Sequence, residues 1–237
     1  MDPYLIRTSM LLPDDAMVRL SKAHVLVVGI GGVGGICAEA LVRAGIGEIS
    51  VVDNDTISES NINRQVFALR STVGMKKVDA ARSRLLDINP ALSFHAFPLF
   101  FSEETSGDIF SAKYDYVVDA IDTVSAKLHL VETAINKDVP IISALGTGNK
   151  LHPAKFKIGD ISETTCCPLA RVMRRELKHR GILHHRVLWS DEEPLVPAPL
   201  EKPEKGRRAV PGSVSWVPPC AGLMIAGDVV LSLLKIK

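Results

Sequence analysis

No C-x-x-C pair occurs among the four cysteines, Cys37, Cys166, Cys167 and Cys220. That excludes the paired-thiolate metal site such motifs build, and adjacent Cys166 and Cys167 are badly placed to share one tetrahedral ion. Free thiols and no structural zinc are expected. Charge of either sign is in no excess: the net value is +1 over 237 residues, so nothing in the total marks a nucleic-acid binder and only a local basic face is left open. No apolar run reaches the roughly 18–20 residues of a membrane span, and the opening Met1-Asp2-Pro3-Tyr4 lacks a leader pattern. The reading is a cytoplasmic protein with no membrane partner.

What is present is 46% hydrophobic residues, enough for one sizeable α/β core with a small appended lobe. The chain is organised around residues 24–65. An apolar run at 25–28 meets Gly29, Gly31, Gly32 and Gly34, followed by a small-residue amphipathic stretch at 36–44. That order reads as strand, tight turn and helix, with the helix N-terminus facing an anion. A second apolar strand at 49–52 ends in Asp53, 19 residues beyond Gly34, where a β-α-β mononucleotide unit places its ribose-binding acid. A nicotinamide or flavin dehydrogenase would use the same fingerprint. The next residues argue otherwise. Asp53, Asp55, Asn61, Arg64 and Gln65 crowd acids, amides and an arginine beyond one strand end, as a nucleoside triphosphate with its metal requires.

The rest of the chain continues the alternation. Gly74 and Lys77 precede a helix at 78–88, and Lys77 in its first turn opposes the macrodipole, so phosphate contact is one reason for it and a solvated lysine the other. A short strand at 93–97 and a polar stretch at 102–111 lead to a buried strand at 116–118 that ends in Asp119 and Asp122, two acids that together suggest a metal. A helix at 126–137 and a strand at 140–144 complete a doubly wound pattern. An antiparallel strand at 151–161 follows, then a basic helix at 168–180 with Arg171, Arg174, Arg175 and Lys178 largely on one side. That face is either solvated or a phosphate-binding surface for nucleic acid. A proline-rich charged loop at 191–212, read as mobile, and an apolar packing helix at 223–234 end the chain. The expected organisation is an N-terminal helical arm (1–23), a Rossmann-like ATP-binding core (24–150) and a C-terminal extension (151–237). The fold class is α/β, a doubly wound and mostly parallel sheet.

Gly29-x-Gly31-x-x-Gly34, Asp53-x-Asp55, Ser60-Asn61-x-x-Arg64-Gln65, Gly74-x-x-Lys77 and Asp119-x-x-Asp122 in combination resemble the adenylating enzymes of the ubiquitin-activating superfamily, over nearly the whole chain. Within it, the early Arg7-Thr8 and the Cys167-Pro168-Leu169-Ala170 start of the basic helix look most like the bacterial tRNA threonylcarbamoyladenosine dehydratases. The resemblance implies ATP-dependent adenylation of a carboxylate, here cyclising the threonylcarbamoyl group on adenosine 37 of tRNA. The alternative is activation of a ubiquitin-like or sulfur-carrier C-terminus, with a sulfur-carrier or desulfurase partner. By similarity the glycines cradle phosphate, Asp53 binds ribose, and Asp55, Asn61, Arg64, Gln65 and Lys77 line the triphosphate. Asp122 holds Mg²⁺, and Arg7 reaches into the partner subunit of a homodimer.

Overall fold

The computed structural model describes residues 2–200 and 210–236. The strands are β1 His24–Val28, β2 Glu48–Val52, β3 Ser93–Phe97, β4 Tyr116–Asp119, β5 Ile141–Ala144, β6 Phe156–Asp160 and β7 Arg186–Ser190. They form one sheet in the order β3-β2-β1-β4-β5-β7-β6, parallel throughout except for β6 on β7. Strands covered on both faces cannot alternate polar with apolar, which is why β1 reads His-Val-Leu-Val-Val and is buried at every position. The strand order runs outward to β3 and then returns to place β4 beside β1. The crevice at that reversal is where an open α/β sheet receives its ligand.

Eight α-helices accompany the sheet among the described residues: α1 Ile6–Ser9, α2 Ala16–Leu20, α3 Gly34–Arg43, α4 Lys77–Ile88, α5 Glu103–Ile109, α6 Val124–Asn136, α7 Pro168–His179 and α8 Val217–Leu233. Residues of α3, α4 and α8 fill the core on one face, and those of α5, α6 and α7 fill the other. Helix α8 lies directly on α3. A Cβ on Gly222 would fall 2.3 Å from the Val33 carbonyl oxygen, so only glycine permits this approach. No described helix is long and apolar enough to cross a membrane.

Three expectations change. The polar stretch at 102–111 contains helix α5: Ser102 and Thr105 form its capping box, and Ile109 and Phe110 are buried beneath it. The strand expected at 151–161 is β6, antiparallel as read, but its partner β7 also pairs in parallel with β5 and continues the main sheet. The C-terminal third therefore adds to the sheet as well as flanking it. Helix α8 starts at Val217 and not at 223, because Pro218 and Pro219 occupy its first turn, where proline gives up no intrahelical hydrogen bond. Of the loop at 191–212, residues 201–209 lie outside the described residues.

Candidate active site

The glycine turn between β1 and α3 is built by close backbone approach. Gly29 has φ of +85°, and a Cβ there would lie 2.7 Å from the Ala120 carbonyl oxygen at the end of β4. A Cβ on Gly34 would sit 1.8 Å from the Gly29 carbonyl oxygen. Both positions exclude any side chain. Gly31 differs: its Cβ would meet nothing nearer than Gln65 Nε2 at 3.8 Å. Its lack of a side chain is not needed for packing and leaves room for a ligand against the backbone.

Asp53, at the end of β2, is tied to this turn. Its Oδ2 accepts a hydrogen bond from the Ile30 amide at 2.9 Å, and its Oδ1 accepts one from the Asp55 amide at 3.0 Å. Lys77, at the first position of α4, is 6% exposed. Its Nζ donates to Asp55 Oδ2 at 2.7 Å and lies 3.5 Å from Asp53 Oδ1. The two carboxylates account for a cation that the helix dipole opposes. Lys77 is thus neither solvated nor waiting in open space; it is held by Asp53 and Asp55 at the mouth of the glycine turn.

Arg64 closes the other side. Its Cγ is 3.5 Å from where a Cβ of Gly32 would stand, and its Nη1 donates to the Ser60 carbonyl and to Asn63 Oδ1, each at 2.9 Å. Gln65 is buried beside Gly31. Asn61 stabilises its own turn, with Oδ1 accepting from the Ser58 amide at 3.3 Å. The structure therefore gathers Gly31, Gly32, Asp53, Asp55, Asn61, Arg64, Gln65 and Lys77 at the carboxyl end of β1 and β2.

The pair Asp119 and Asp122 separates. Asp119 is wholly buried: its Oδ1 accepts from Lys127 Nζ at 2.9 Å and from the Ile121 amide at 3.1 Å, and its Oδ2 from Ser143 Oγ at 2.5 Å. Ser143 Oγ lies 2.7 Å from His185 Nε2, and burial pushes the His185 pKa down to about 4. Asp119 is thus a structural ion-pair partner with no access to a ligand, which corrects its reading as half of a metal pair. Asp122, three residues on, is exposed at the mouth of the crevice, with Thr123 Oγ1 donating to its Oδ1 at 3.3 Å. A carboxylate in that place suits a hard divalent cation such as Mg²⁺.

Sequence reasoning missed the segment that roofs this end of the sheet. The Gly212 amide donates to Asn149 Oδ1 at 2.6 Å, Asn63 Nδ2 donates to the Ser213 carbonyl at 3.0 Å, and Trp216 Nε1 to the Leu151 carbonyl at 2.8 Å. Ser213 Oγ itself is buried and has no hydrogen-bond partner among the described residues. Each bond joins a backbone group to an amide or indole side chain far away in sequence, so no local residue pattern announces it.

Two further expectations fall elsewhere in the fold. Arg7 is exposed on α1, beside Leu5, which lies over Gly45 just past the C-terminus of α3. The glycine turn is at the other end of that ten-residue helix, about 15 Å away at 1.5 Å per residue. Arg7 does not join the site of its own chain. On α7, Arg171, Arg175 and Lys178 are exposed, whereas Arg174 Nη1 donates to Thr164 Oγ1 at 2.6 Å and the Thr164 carbonyl at 2.9 Å. Arg174 therefore secures the turn before α7 and is not a free member of the basic face. Cys167 Sγ caps the same helix, accepting from the Ala170 amide at 3.4 Å.

Residues 5–236 match the model of the ThiF family. The chain belongs to the ThiF family. Among its relatives, this ThiF-family chain is 40% identical over 238 residues to the tRNA threonylcarbamoyladenosine dehydratase of Bacillus subtilis, covering 97% of this chain and 94% of that protein. It is 36% identical over 171 residues to the Escherichia coli protein of the same name, covering 72% of this chain and 64% of the other. Its fold superposes on the crystal structure of E. coli tRNA N6-threonylcarbamoyladenosine dehydratase, TcdA, in complex with ATP, with a TM-score of 0.89 at 29% identity over 98% of this chain and 94% of that one. The Candida glabrata adenylyltransferase and sulfurtransferase UBA4 is 39% identical but over only 56% of this chain and 30% of its own length.

Proposed function

We propose that this chain is an ATP-dependent adenylating enzyme that cyclises threonylcarbamoyladenosine in tRNA, with loss of the elements of water. The observation that carries it is the convergence of the glycine turn, the Asp53–Asp55–Lys77 ion cluster and Arg64 on one crevice, in a chain that matches a dehydratase over 97% of its length. Activation of a sulfur carrier is the second reading; its relatives cover only part of this chain.

The chemistry follows from charge. A carboxylate does not accept a nucleophile because its oxygen is a poor leaving group. Attack of that oxygen on the α-phosphorus of ATP expels pyrophosphate and forms an acyl adenylate. A group of the same modified nucleoside then attacks the acyl carbon, and AMP departs with the original carboxylate oxygen. No protein nucleophile is required, in keeping with the capping role of Cys167. Gly31 and Gly32 admit the phosphates to the backbone amides, Asp53 has lone pairs left for ribose hydroxyls, and Arg64 and Lys77 oppose the charge that builds on the phosphates. Asp122 would hold Mg²⁺, which neutralises phosphate charge when bound.

Arg7 acts on the partner subunit of a homodimer. Its distance from its own crevice supports that role, as do the exposed Met10 and Leu11 of the arm, 74% and 88% accessible, and the exposed Leu223 and Leu231 of α8. Arg171, Arg175 and Lys178 meet tRNA phosphates, and the reaction is cytoplasmic. The organisation is an arm at 1–23, an ATP-binding core at 24–150 and a substrate-facing extension at 151–237. The test is release of AMP and pyrophosphate stimulated by tRNA bearing threonylcarbamoyladenosine, with mass spectrometry of the product nucleoside. Release driven by a Gly-Gly carrier protein and indifferent to tRNA would overturn the reading.

A further inference from the structure

The starts of β1, β2 and β3 gather a second set of donor atoms at the opposite edge of the sheet. His24 pairs with Glu48 and Glu48 with Ser93 in the parallel register. Neighbours in register project to one face and alternate residues repeat it, so His24, Glu48 and His95 converge. Glu48 Oε1 is 2.8 Å from His95 Nε2 and 3.6 Å from His24 Nδ1. One ligand atom from each of the three lies within 4.8 Å of the others. Two ligands on a tetrahedral ion with bonds of about 2.0–2.1 Å stand about 3.3–3.4 Å apart. The two distances bracket that value.

The surroundings are those of a held ligand. His24 is 7% exposed, its ring lies 4.6 Å from that of Tyr114, and its Nε2 is 2.8 Å from Ser50 Oγ. A proton on Nε2 donated to Ser50 leaves the Nδ1 lone pair facing Glu48, the outer hydrogen bond that orients a metal-binding imidazole. Glu48 and His95 are partly exposed and give an ion its way in. Nothing in the proposed reaction uses these residues.

We propose that His24, Glu48 and His95 form a divalent transition-metal site of the zinc class, with solvent at the remaining position, which pins the edge strand β3 to β2 and β1. Two imidazoles and one carboxylate favour Zn²⁺, Ni²⁺ or Co²⁺ over Mg²⁺. No thiol takes part, and the proposal departs from the expectation of no structural zinc, which rested on the cysteines alone. It lies roughly 16 Å from the glycine turn, the length of β1 at about 3.3 Å per residue, and its loading is separable from ATP binding.

Untagged full-length protein, stripped with chelator, is titrated with Zn²⁺ by calorimetry and with Co²⁺ by absorption spectroscopy. One saturable equivalent is expected, with a raised Tm on zinc addition. H95A and E48Q, both at partly exposed positions, should each weaken it at least about tenfold and abolish the Tm rise, with ATP binding unchanged. H184A, in an exposed histidine outside the cluster, should leave it intact. Absence of a saturable equivalent, equal affinity in all variants, or a thiolate-to-cobalt charge-transfer band placing the ion on a cysteine would each overturn the proposal.

Discussion

Lys127 Nζ and Asp119 Oδ1 stand 2.9 Å apart with both side chains wholly sealed from solvent, at the base of the loop that carries Asp122. The same ammonium donates to the Ile121 carbonyl at 3.0 Å, so one buried cation fixes both the strand end and the next turn. Substituting Lys127 by Met strands a buried carboxylate, and breaking one side of such a pair costs about 3–5 kcal/mol. Chemical denaturation should show that loss in K127M, and the K127M/D119N double variant should regain part of it.

His185 makes stability depend on pH. Its folded pKa is lowered from 6.5 to about 4 by burial. As pH falls through that window the unfolded chain binds a proton that the folded chain refuses, so stability is lost on acidification, is full above 6.5 and reaches its minimum contribution below about 4. The shift corresponds to roughly 3 kcal/mol. Denaturation midpoints of the wild type compared with H185Q between pH 7 and 4 should reveal a steeper acid slope in the wild type.

The glycines divide into two classes that substitution should separate. G34A puts a carbon 1.8 Å from a carbonyl oxygen and should abolish the native turn, seen as a collapse in Tm. G31A meets nothing within 3.8 Å, so its Tm should stay near that of wild type while ATP affinity, measured by calorimetry, falls at least about tenfold through the lost phosphate approach.

Arg7 offers a complementation experiment. R7A and D122A proteins should each be inactive. Mixed heterodimers contain one intact crevice facing one intact Arg7, and AMP release should return. Continued inactivity after verified subunit exchange would remove Arg7 from the partner's site.

On α7, charge reversal at Arg171, Arg175 and Lys178 should weaken tRNA binding and flatten its dependence on salt, because phosphate contacts release counterions. ATP affinity should not change. R174E should instead lower Tm by loosening the Thr164 turn.

How much of this was legible follows from where each signal resides. The glycine turn, Asp53, Arg64 and Lys77 are local: fixed spacings force fixed backbone shapes, and the structure places them around one crevice. The neutralisation of Asp119 was not legible, because a lysine eight residues away on the next helix looks like any surface charge until the helix folds over it. Strand β7 escaped because Arg186-Val-Leu-Trp-Ser190 is short and begins on a charge that Asp228 of α8 neutralises only in the folded chain. Helix α5 hid behind capping residues that, by composition, read as loop. Arg174 has the sequence of a surface cation and the bonds of a structural one.

The contact of Gly222 with Val33 and Ile36 means that the glycine turn is backed from outside its own β-α-β unit. A bulkier residue at 222 would reach the crevice through the backbone alone, displacing the start of α3 while every side chain around the crevice stays as it is.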